Sequence, residues 1–274
     1  MLGKSSRNLL KAVVLALFGL WTVIPIWMVV MTSFKGQKDI FTVPVKWMFH
    51  PTFNNYSKAF SNGDFGRYFM NSGLVAVTSS FLAVALGTLC AYGLTSFEMR
   101  RSRAFTNFFM LGKLVPAVTM LLPMFVLLHS VGMLGTYVGP ILAHTAVNLP
   151  FIVWLAISFL KDVPKDLEQS ALIDGCTKMQ AFRKIILPII LPGVTAAVIL
   201  SMQYSWNELV FAMQLTNMDT YTLPVGISRF VGSVSVDWGK SSAAATITMV
   251  PIIVVGFFIQ KYLAEGTTGG AVKG

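Results

Sequence analysis

The stretch AVVLALFGLWTVIPIWMVVM, residues Ala12–Met31, contains 20 consecutive residues without a charged side chain. A bilayer core of about 30 Å requires about 20 mostly apolar residues in helical form, so this stretch predicts a membrane-spanning helix. Lys4, Arg7 and Lys11 precede it, and no small-x-small cleavage pattern follows it. We therefore expect an uncleaved span and not a signal peptide.

Five further apolar runs follow along the 274 residues, at positions 70–94, 104–128, 137–160, 185–212 and 243–263. Charged residues make up 12% of the sequence, whereas soluble domains contain about 25%. With 55% hydrophobic residues and a mean hydropathy of +0.69, this composition excludes a soluble enzyme. Few segments alternate apolar and polar residues, which argues against a β-barrel. The sequence predicts an all-α, polytopic membrane protein with six transmembrane helices in a single domain, residues 1–274.

The basic residues are distributed unevenly between the two sides of these spans. The N-terminus, the second and fourth connections and the C-terminal tail hold 13 Lys and Arg residues, and the other side holds seven, mostly in a long first loop; Lys113, inside a span, completes the 21. Because cytoplasmic loops are enriched in Lys and Arg, we expect both termini in the cytoplasm. The net charge of +10 is thus interpreted mainly as a topology signal.

The fourth connection, residues 161–184, carries helix signals although it lies between two spans. Pro164 suits a first helical turn, acidic residues follow where the helix dipole favours them, and Gly175 can end the helix. Thr177 can then cap a second short helix that continues into the fifth span. We expect a cytoplasmic helix–turn–helix that meets a partner; the alternative is an interfacial helix lying among lipid headgroups.

This segment reads LEQSALIDGC from Leu167 to Cys176, and IILP from Ile185 to Pro188. It resembles the E-A-A-x3-G-x9-I-x-L-P signature of permease subunits of bacterial ABC importers, with Gln169 in place of the usual Glu and Ser170 in place of the first Ala. Other stretches resemble the carbohydrate importers, in particular the smaller permease of the maltose transporter. Those stretches are Asn55-Tyr56, Phe60, Arg67-Tyr68, Asn71-Ser72, Ser205-Trp206-Asn207-Glu208 and Gly269–Gly274.

The resemblance implies a heterodimer with a second permease subunit, two ATPase subunits and an extracytoplasmic sugar-binding protein, in the bacterial cytoplasmic (inner) membrane. ATP and Mg would be bound by the ATPase subunits, with no cofactor in this chain. The resemblance also implies that the segment at positions 161–188, called the coupling segment below, transmits ATPase motion to the spans. We expect the small side chain of Ala171 to permit close approach of the ATPase, and Gly175 to permit the turn. We expect Glu168 and Asp174 to pair with basic side chains of the ATPase. The full set of predicted coupling residues is Glu168, Gln169, Ser170, Ala171, Asp174, Gly175, Ile185, Leu187 and Pro188.

Two further contacts follow from the resemblance. The tail at positions 265–274 would reach the ATPase subunits, and the outer loop before the last span would contact the binding protein. The tail candidates are Gly269, Gly270, Val272, Lys273 and Gly274. The loop candidates are Phe230, Gly232, Ser233 and Trp238. For the tail, a frayed end is the alternative, because four glycines and two threonines cannot form a stable helix.

Polar residues inside the spans are candidates for a translocation path, because a neutral sugar needs amides, hydroxyls and aromatic faces. They are Lys113, His144, Asn148, Gln203, Asn207 and Glu208. A lipid-facing Lys113 would cost about 2.5–3.5 kcal/mol, so we expect it to face the protein or water. The alternative for the others is interhelical hydrogen bonding.

We expect no catalysis and no metal site in this chain. It lacks His-Glu-x-x-His and Gly-x4-Gly-Lys-Ser/Thr, and Cys90 and Cys176 fall at different depths, where they form no disulfide. The remaining alternative function is a small dimeric secondary carrier for a neutral solute. Such carriers usually show internal repeats and midplane carboxylates, neither of which is evident here.

Overall fold

The computed structural model describes residues 4–61, 64–97, 102–230 and 236–268, with side chains from residue 8 to residue 257 except Arg103. These residues form thirteen α-helices. The helices are α1 (Lys4–Ser33), α2 (Gln37–Ile40), α3 (Asn54–Ser61), α4 (Asp64–Ser96), α5 (Ser102–Gly112), α6 (Leu121–Ser130), α7 (Val138–Lys161), α8 (Lys165–Ile173), α9 (Lys178–Ala181), α10 (Leu187–Asn207), α11 (Val210–Leu215), α12 (Leu223–Ser228) and α13 (Trp238–Thr268).

Five of the described helices are long and apolar enough to cross a membrane, and there are six such spans if a further pair of helices, bent at a short break, counts as one. The five are α1, α4, α7, the continuous segment from α9 to α10, and α13. The prediction of an all-α membrane protein is confirmed, and the predicted six spans correspond to these five helices and the bent pair.

The third predicted span, residues 104–128, is not one straight helix. Its two parts, Ala104–Gly112 and Ala117–Ser130, are bent by 95°. Pro116 has no amide proton to continue the helix, it disfavours helical geometry at Val115, and Gly112 is a weak helix former. The apolar run predicted one continuous helix, and these residues explain why the helix is interrupted instead.

The fifth predicted span, residues 185–212, also ends earlier than its apolar run. Helix α10 stops at Asn207, and Glu208 takes an extended conformation with ψ of 123°. A separate short helix, α11, follows. The break therefore lies where a charged residue interrupts the apolar run.

The chain divides into two compact units, the first comprising residues 1–66 and 227–251 and the second residues 67–226 and 252–274. In the first unit the loop after α1 is ordered. The amide of Asn55 donates to the carbonyls of Ser33 and Lys35 at 2.9 and 2.8 Å, and the rings of Phe34, Phe53 and Tyr56 lie within 6.0 Å of one another. The aromatic residues of this loop thus form a partly exposed cluster.

The second unit is built on the packing of α4, α7 and α10. Ala83 and Val84 of α4 contact Ile152 of α7 and Ala197 of α10 in a buried cluster. Small residues at these positions allow close approach of the helix backbones, as is common between membrane helices. A second cluster joins the ends of the same three helices next to α8, and it supports the site described next.

Candidate functional site

The connection between α7 and α10 folds as two short helices with a fixed turn between them. Helix α8 starts after Pro164 and ends at Ile173. Gly175 has φ of +87°, a left-handed conformation that glycine adopts without steric cost. The amide of Cys176 donates to Ala171 at 2.9 Å and that of Gly175 to Leu172 at 3.1 Å, which together form a Schellman motif. The predicted role of Gly175 as the turn residue is confirmed.

The second short helix has a reciprocal cap. The amide of Gln180 donates to Oγ1 of Thr177, and Oε1 of Gln180 accepts from the Thr177 amide at 2.8 Å. This capping box confirms the predicted start of α9 at Thr177. A π-helical turn, Phe182–Ile186, then leads into α10. Pro188, in the next turn, cannot donate to the carbonyl of Lys184, so a locally widened helix accommodates its ring.

The inner side of α8 is hydrogen-bonded to the end of α4. The Tyr92 hydroxyl donates to Oε1 of Glu168 at 2.7 Å, and Ser96 donates to Oε2 at 3.0 Å. Nζ of Lys178 donates to the Ser96 carbonyl at 2.6 Å and lies 4.1 Å from the centre of the Phe97 ring. The structure therefore places Glu168 in contacts within this chain, and Asp174 is the exposed acid of the predicted pair.

Apolar packing reinforces this attachment. The rings of Tyr92 and Phe182 lie 4.6 Å apart, and Ala171, 2% exposed, faces the interior of the same unit. Ile185 and Leu187 pack against the buried cluster that contains Phe182 and Ile186. Of the predicted coupling residues, Glu168, Ala171, Ile185 and Leu187 thus hold the segment to its own helices.

The outer side of the segment is free of such contacts among the described residues. Gln169, Ser170, Asp174, Gly175 and Pro188 are exposed. Ile173 is 86% exposed, a large apolar surface at the end of α8. The outer side of the segment thus presents polar groups and one large apolar side chain.

A buried polar cluster connects three spans at the other end of the second unit. Nδ1 of His144 lies 2.6 Å from the Ser205 hydroxyl, to which Ser79 donates at 3.0 Å. Nε2 of His144 lies 3.1 Å from Oε2 of Glu208. In the neutral ring, donation from Nε2 to the carboxylate leaves Nδ1 to accept from Ser205.

Glu208 also caps α11. Its carboxylate accepts from the amides of Val210, Phe211 and Ala212 at 2.8 to 3.1 Å, which satisfies the first donors of that helix. His144 is fully buried, and the Glu208 side chain is 8% exposed. These two residues, which the sequence analysis considered for a translocation path, lie inside the second unit.

The remaining path candidates occupy three different positions. Asn148 is buried and donates to the His144 carbonyl at 3.0 Å. Gln203 and Asn207 are exposed, one turn apart on α10, and the Asn207 amide donates to the Gln203 carbonyl at 2.8 Å. Lys113 is exposed at the break between α5 and α6. Its ammonium lies 4.7 and 5.1 Å from the ring centres of Phe151 and Trp154.

The structure describes only part of the outer loop predicted to contact the binding protein, and none of the tail residues predicted to contact the ATPase. In the first unit, Phe230 is half-buried under the ammonium of Lys240, 4.1 Å from its ring centre, and Trp238 is 54% exposed. Gly232 and Ser233 lie outside the described residues. The tail candidates Gly269, Gly270, Val272, Lys273 and Gly274 also lie outside them. The first four residues of the predicted tail, 265–268, continue α13, so the expectation that the tail is not helical is wrong for these residues.

Sequence reasoning missed Tyr92, Ser96, Lys178 and Ile173. Tyr92 and Ser96 are one helical turn apart in the last turns of an apolar helix, a spacing that places both on one face. A polar pair at that spacing is a signal for an interhelical contact. Lys178 and Ile173 had no such signal, because single residues in a mixed-charge segment carry no periodicity.

Comparison with known proteins agrees with this architecture. Residues 83–269 match the family described as binding-protein-dependent transport system inner membrane component. The chain is 32% identical to the sulfoquinovosyl glycerol transport system permease protein SmoH of Agrobacterium fabrum, over 91% of this chain and 88% of that protein. It is 33% identical to the diacetylchitobiose uptake system permease protein NgcG of Streptomyces coelicolor, over 98% and 91%.

The fold agrees with that of a solved transporter. A chain of a bacterial ABC transporter involved in the import of the acidic polysaccharide alginate superposes with a TM-score of 0.79, at 19% identity, covering 96% of this chain and 99% of that one. The match of the family model over more than half of the sequence, together with the two relatives, shows that this chain belongs to the family of binding-protein-dependent transport system inner membrane components.

Proposed function

We propose that this chain is a permease subunit of an ATP-driven importer that moves a sugar or polyol across the bacterial cytoplasmic membrane by alternating access. The observation that carries the proposal is the segment from α8 to the π-helical turn. Its inner side is hydrogen-bonded to α4 and packed against α7 and α10, whereas its outer side is exposed. A rigid exposed element of this kind can transmit a partner's motion to several spans at once.

The partner that supplies the motion is an ATPase. Its docking surface on this chain comprises Ile173, Gln169, Ser170 and Asp174, which are exposed on the outer side of α8 and its turn. Movement of α8 then passes to α4 through Glu168 and to α10 through the π-helical turn. ATP and Mg are bound by the ATPase subunits, and this chain needs no cofactor of its own.

The complete importer contains a second permease subunit, two ATPase subunits and an extracytoplasmic sugar-binding protein. Both termini lie in the cytoplasm, as the distribution of Lys and Arg indicates. The outer segment with Phe230, Gly232, Ser233 and Trp238 contacts the binding protein, and the tail Gly269–Gly274 contacts the ATPase subunits. Removing this tail should reduce the stimulation of ATP hydrolysis by the loaded binding protein; unchanged stimulation would favour a frayed end.

A sugar path is supported best at the exposed polar face of α10. Gln203 and Asn207 present amides there, and amides match the hydroxyl groups of sugars. Exposed amides inside an apolar span would be costly in lipid, so they are expected to face water or the partner permease. By contrast, His144, Asn148 and Glu208 stabilise the subunit from inside. Lys113, whose ammonium lies over the rings of Phe151 and Trp154, is a second exposed polar position along the proposed sugar path.

The substrate class follows from the relatives, whose names include sulfoquinovosyl glycerol, diacetylchitobiose and trehalose transport. The test is uptake of these three compounds into proteoliposomes that contain the chain with its partner permease and ATPase subunits, in the presence of the binding protein. Uptake that requires ATP inside supports the proposal. Uptake by the chain alone along an ion gradient would favour the secondary carrier, and robust ATP hydrolysis by the isolated chain would contradict both.

A further inference from the structure

A cavity of about 870 Å³ lies in the second unit, next to the segment that connects α7 and α10. Its walls come from the last residues of α4, the first turns of α5, the end of α7 and the inner side of α8. This volume is within the range of about 300–1,000 Å³ that is usual for pockets that hold small ligands.

The described residues that line the cavity carry a net positive charge. Lys161, Lys165 and Lys178 line it, and Glu168 is the one acidic residue among the described residues that line it. Both oxygens of Glu168 already accept hydrogen bonds from Tyr92 and Ser96. Within the described part of the chain, Lys161 and Lys165 form no ion pair, since the pairs found there join other residues. Two lysines at this cavity therefore have no anionic partner among the residues that the structure describes.

The rest of the lining is apolar or hydroxylic, apart from the amide of Gln169, which lies at the edge that the cavity shares with the proposed docking surface. Leu94, Ile157, Leu160 and Ile186, each 3–8% exposed, form an apolar wall that belongs to the buried cluster, and Leu172, 37% exposed, extends this wall. Ser102 and Thr106 add hydroxyl groups. The cavity also lies where three apolar helices end, because α4 stops at Ser96, α5 begins at Ser102 and α7 stops at Lys161. Because these helices belong to predicted spans, their ends are expected near the boundary between lipid headgroups and acyl chains.

A ligand that fits needs a negative group at one end and an apolar body at the other. We propose that this cavity binds an anionic phospholipid, with Lys161 and Lys165 at the headgroup phosphate and the apolar wall against the acyl chains. Basic pockets between membrane helices on the cytoplasmic side bind lipid headgroups in this way. The lipid would fill the space between α8 and the ends of α4, α5 and α7, and so support the position of the coupling segment.

The test uses the purified complete importer in detergent, stripped of lipid and titrated with phosphatidylglycerol or phosphatidylcholine. Native mass spectrometry measures the bound lipid, and thermal unfolding measures the stabilisation. We expect retention of phosphatidylglycerol over phosphatidylcholine, and a loss of about fivefold in its affinity for each of K161Q and K165Q. The matched control is R183Q/K184Q, which removes two exposed charges from the π-helical turn outside the cavity and should leave lipid retention unchanged.

Three outcomes would overturn the proposal. The first is retention of phosphatidylcholine as tightly as phosphatidylglycerol. The second is unchanged phosphatidylglycerol affinity in K161Q/K165Q, which would also be the result if a partner subunit fills the cavity. The third is stabilisation of the wild-type importer by inorganic phosphate alone to the same extent as by the lipid, which would identify a soluble phosphate as the ligand.

Discussion

Tyr92 and Glu168 are 76 positions apart in the sequence and are joined by a hydrogen bond of 2.7 Å from the phenol hydroxyl to Oε1. The same hydroxyl lies 2.9 Å from the carbonyl oxygen of Lys178, at the start of α9. One side chain of α4 therefore contacts both short helices of the coupling segment. A displacement of α8 larger than the two side chains can absorb must therefore move α4 or break this bond.

Replacing Tyr92 by Phe tests this connection. The variant keeps the ring contact with Phe182 at 4.6 Å but removes the hydroxyl that donates to Glu168. We expect a loss of about 1–2 kcal/mol in stability, because the acceptor is charged but half-exposed. We also expect fewer sugar molecules imported per ATP hydrolysed. Uptake and ATP hydrolysis are measured together in proteoliposomes, and a wild-type ratio in Y92F would show that the bond does not transmit motion.

The turn at Gly175 gives a second prediction with its own control. A Cβ at this position would meet nothing within 4 Å, so any penalty comes from its φ of +87° and not from crowding. Gly175→Val should cost about 1–2 kcal/mol and displace α8, whereas Gly175→Asn, which tolerates this conformation, should cost less. We expect normal membrane insertion of both variants and uncoupled ATP hydrolysis in Gly175→Val. Equal uptake by the two variants would contradict a coupling role for this turn.

The spans and the coupling segment could be predicted from the sequence for physical reasons that act locally. Apolar length identifies a span, Pro164 and Thr177 start helices, and Gly175 ends one. The bend between α5 and α6 was missed because hydropathy is blind to the backbone effect of Pro116. Pro116 is visible in the sequence, and a prediction that gave this proline more weight than the apolar run would have placed a break there.

The role of each polar residue could not be predicted, because it depends on which side of a helix meets another helix. His144 and Gln203 are both polar residues in apolar spans, yet His144 is fully buried and Gln203 is exposed. Glu168 lies in a motif associated with a partner and is nevertheless bonded to its own chain. Long-range contacts of this kind leave no periodic trace in a single sequence.

The buried cluster around Glu208 predicts a structural phenotype. Glu208→Ala removes the acceptor of three backbone amides of α11 and of Nε2 of His144. Because buried donors without partners cost about 1–3 kcal/mol each, we expect a large fall in melting temperature and low yield of the assembled importer. Glu208→Gln keeps one oxygen acceptor, so its melting temperature should lie between those of Glu208→Ala and the wild type. Thermal unfolding in detergent checks this order, and a wild-type melting temperature for Glu208→Ala would refute it.

The exposed amides of α10 predict a transport phenotype instead. Gln203→Leu and Asn207→Leu each remove groups that can bond a sugar hydroxyl, and a net hydrogen bond of about 0.5–1.5 kcal/mol corresponds to roughly two- to tenfold weaker interaction. We expect uptake to fall by that factor with little change in melting temperature. Thr195→Val is the control, since Thr195 lies on the same helix and donates to the Leu191 carbonyl of α10 itself. Reduced uptake in the control but not in the two variants would place the path elsewhere.

The contact between α4 and α7 predicts the effect of a single methyl group. A Cβ at Gly87 would lie 2.6 Å from Cγ2 of Ile152, whereas a Cβ at Gly73 on the same helix would meet nothing within 4 Å. Gly87→Ala should therefore destabilise the protein by about 1–3 kcal/mol through overpacking. Gly73→Ala should be neutral or stabilising by up to about 1 kcal/mol, because alanine is the better helix former. If steric overlap is the cause, Gly87→Ala combined with Ile152→Ala will be more stable than the sum of the two single effects, since the pair is in direct contact. Melting temperatures of the four variants measure this coupling, and strict additivity would show that the two helices separate there without cost.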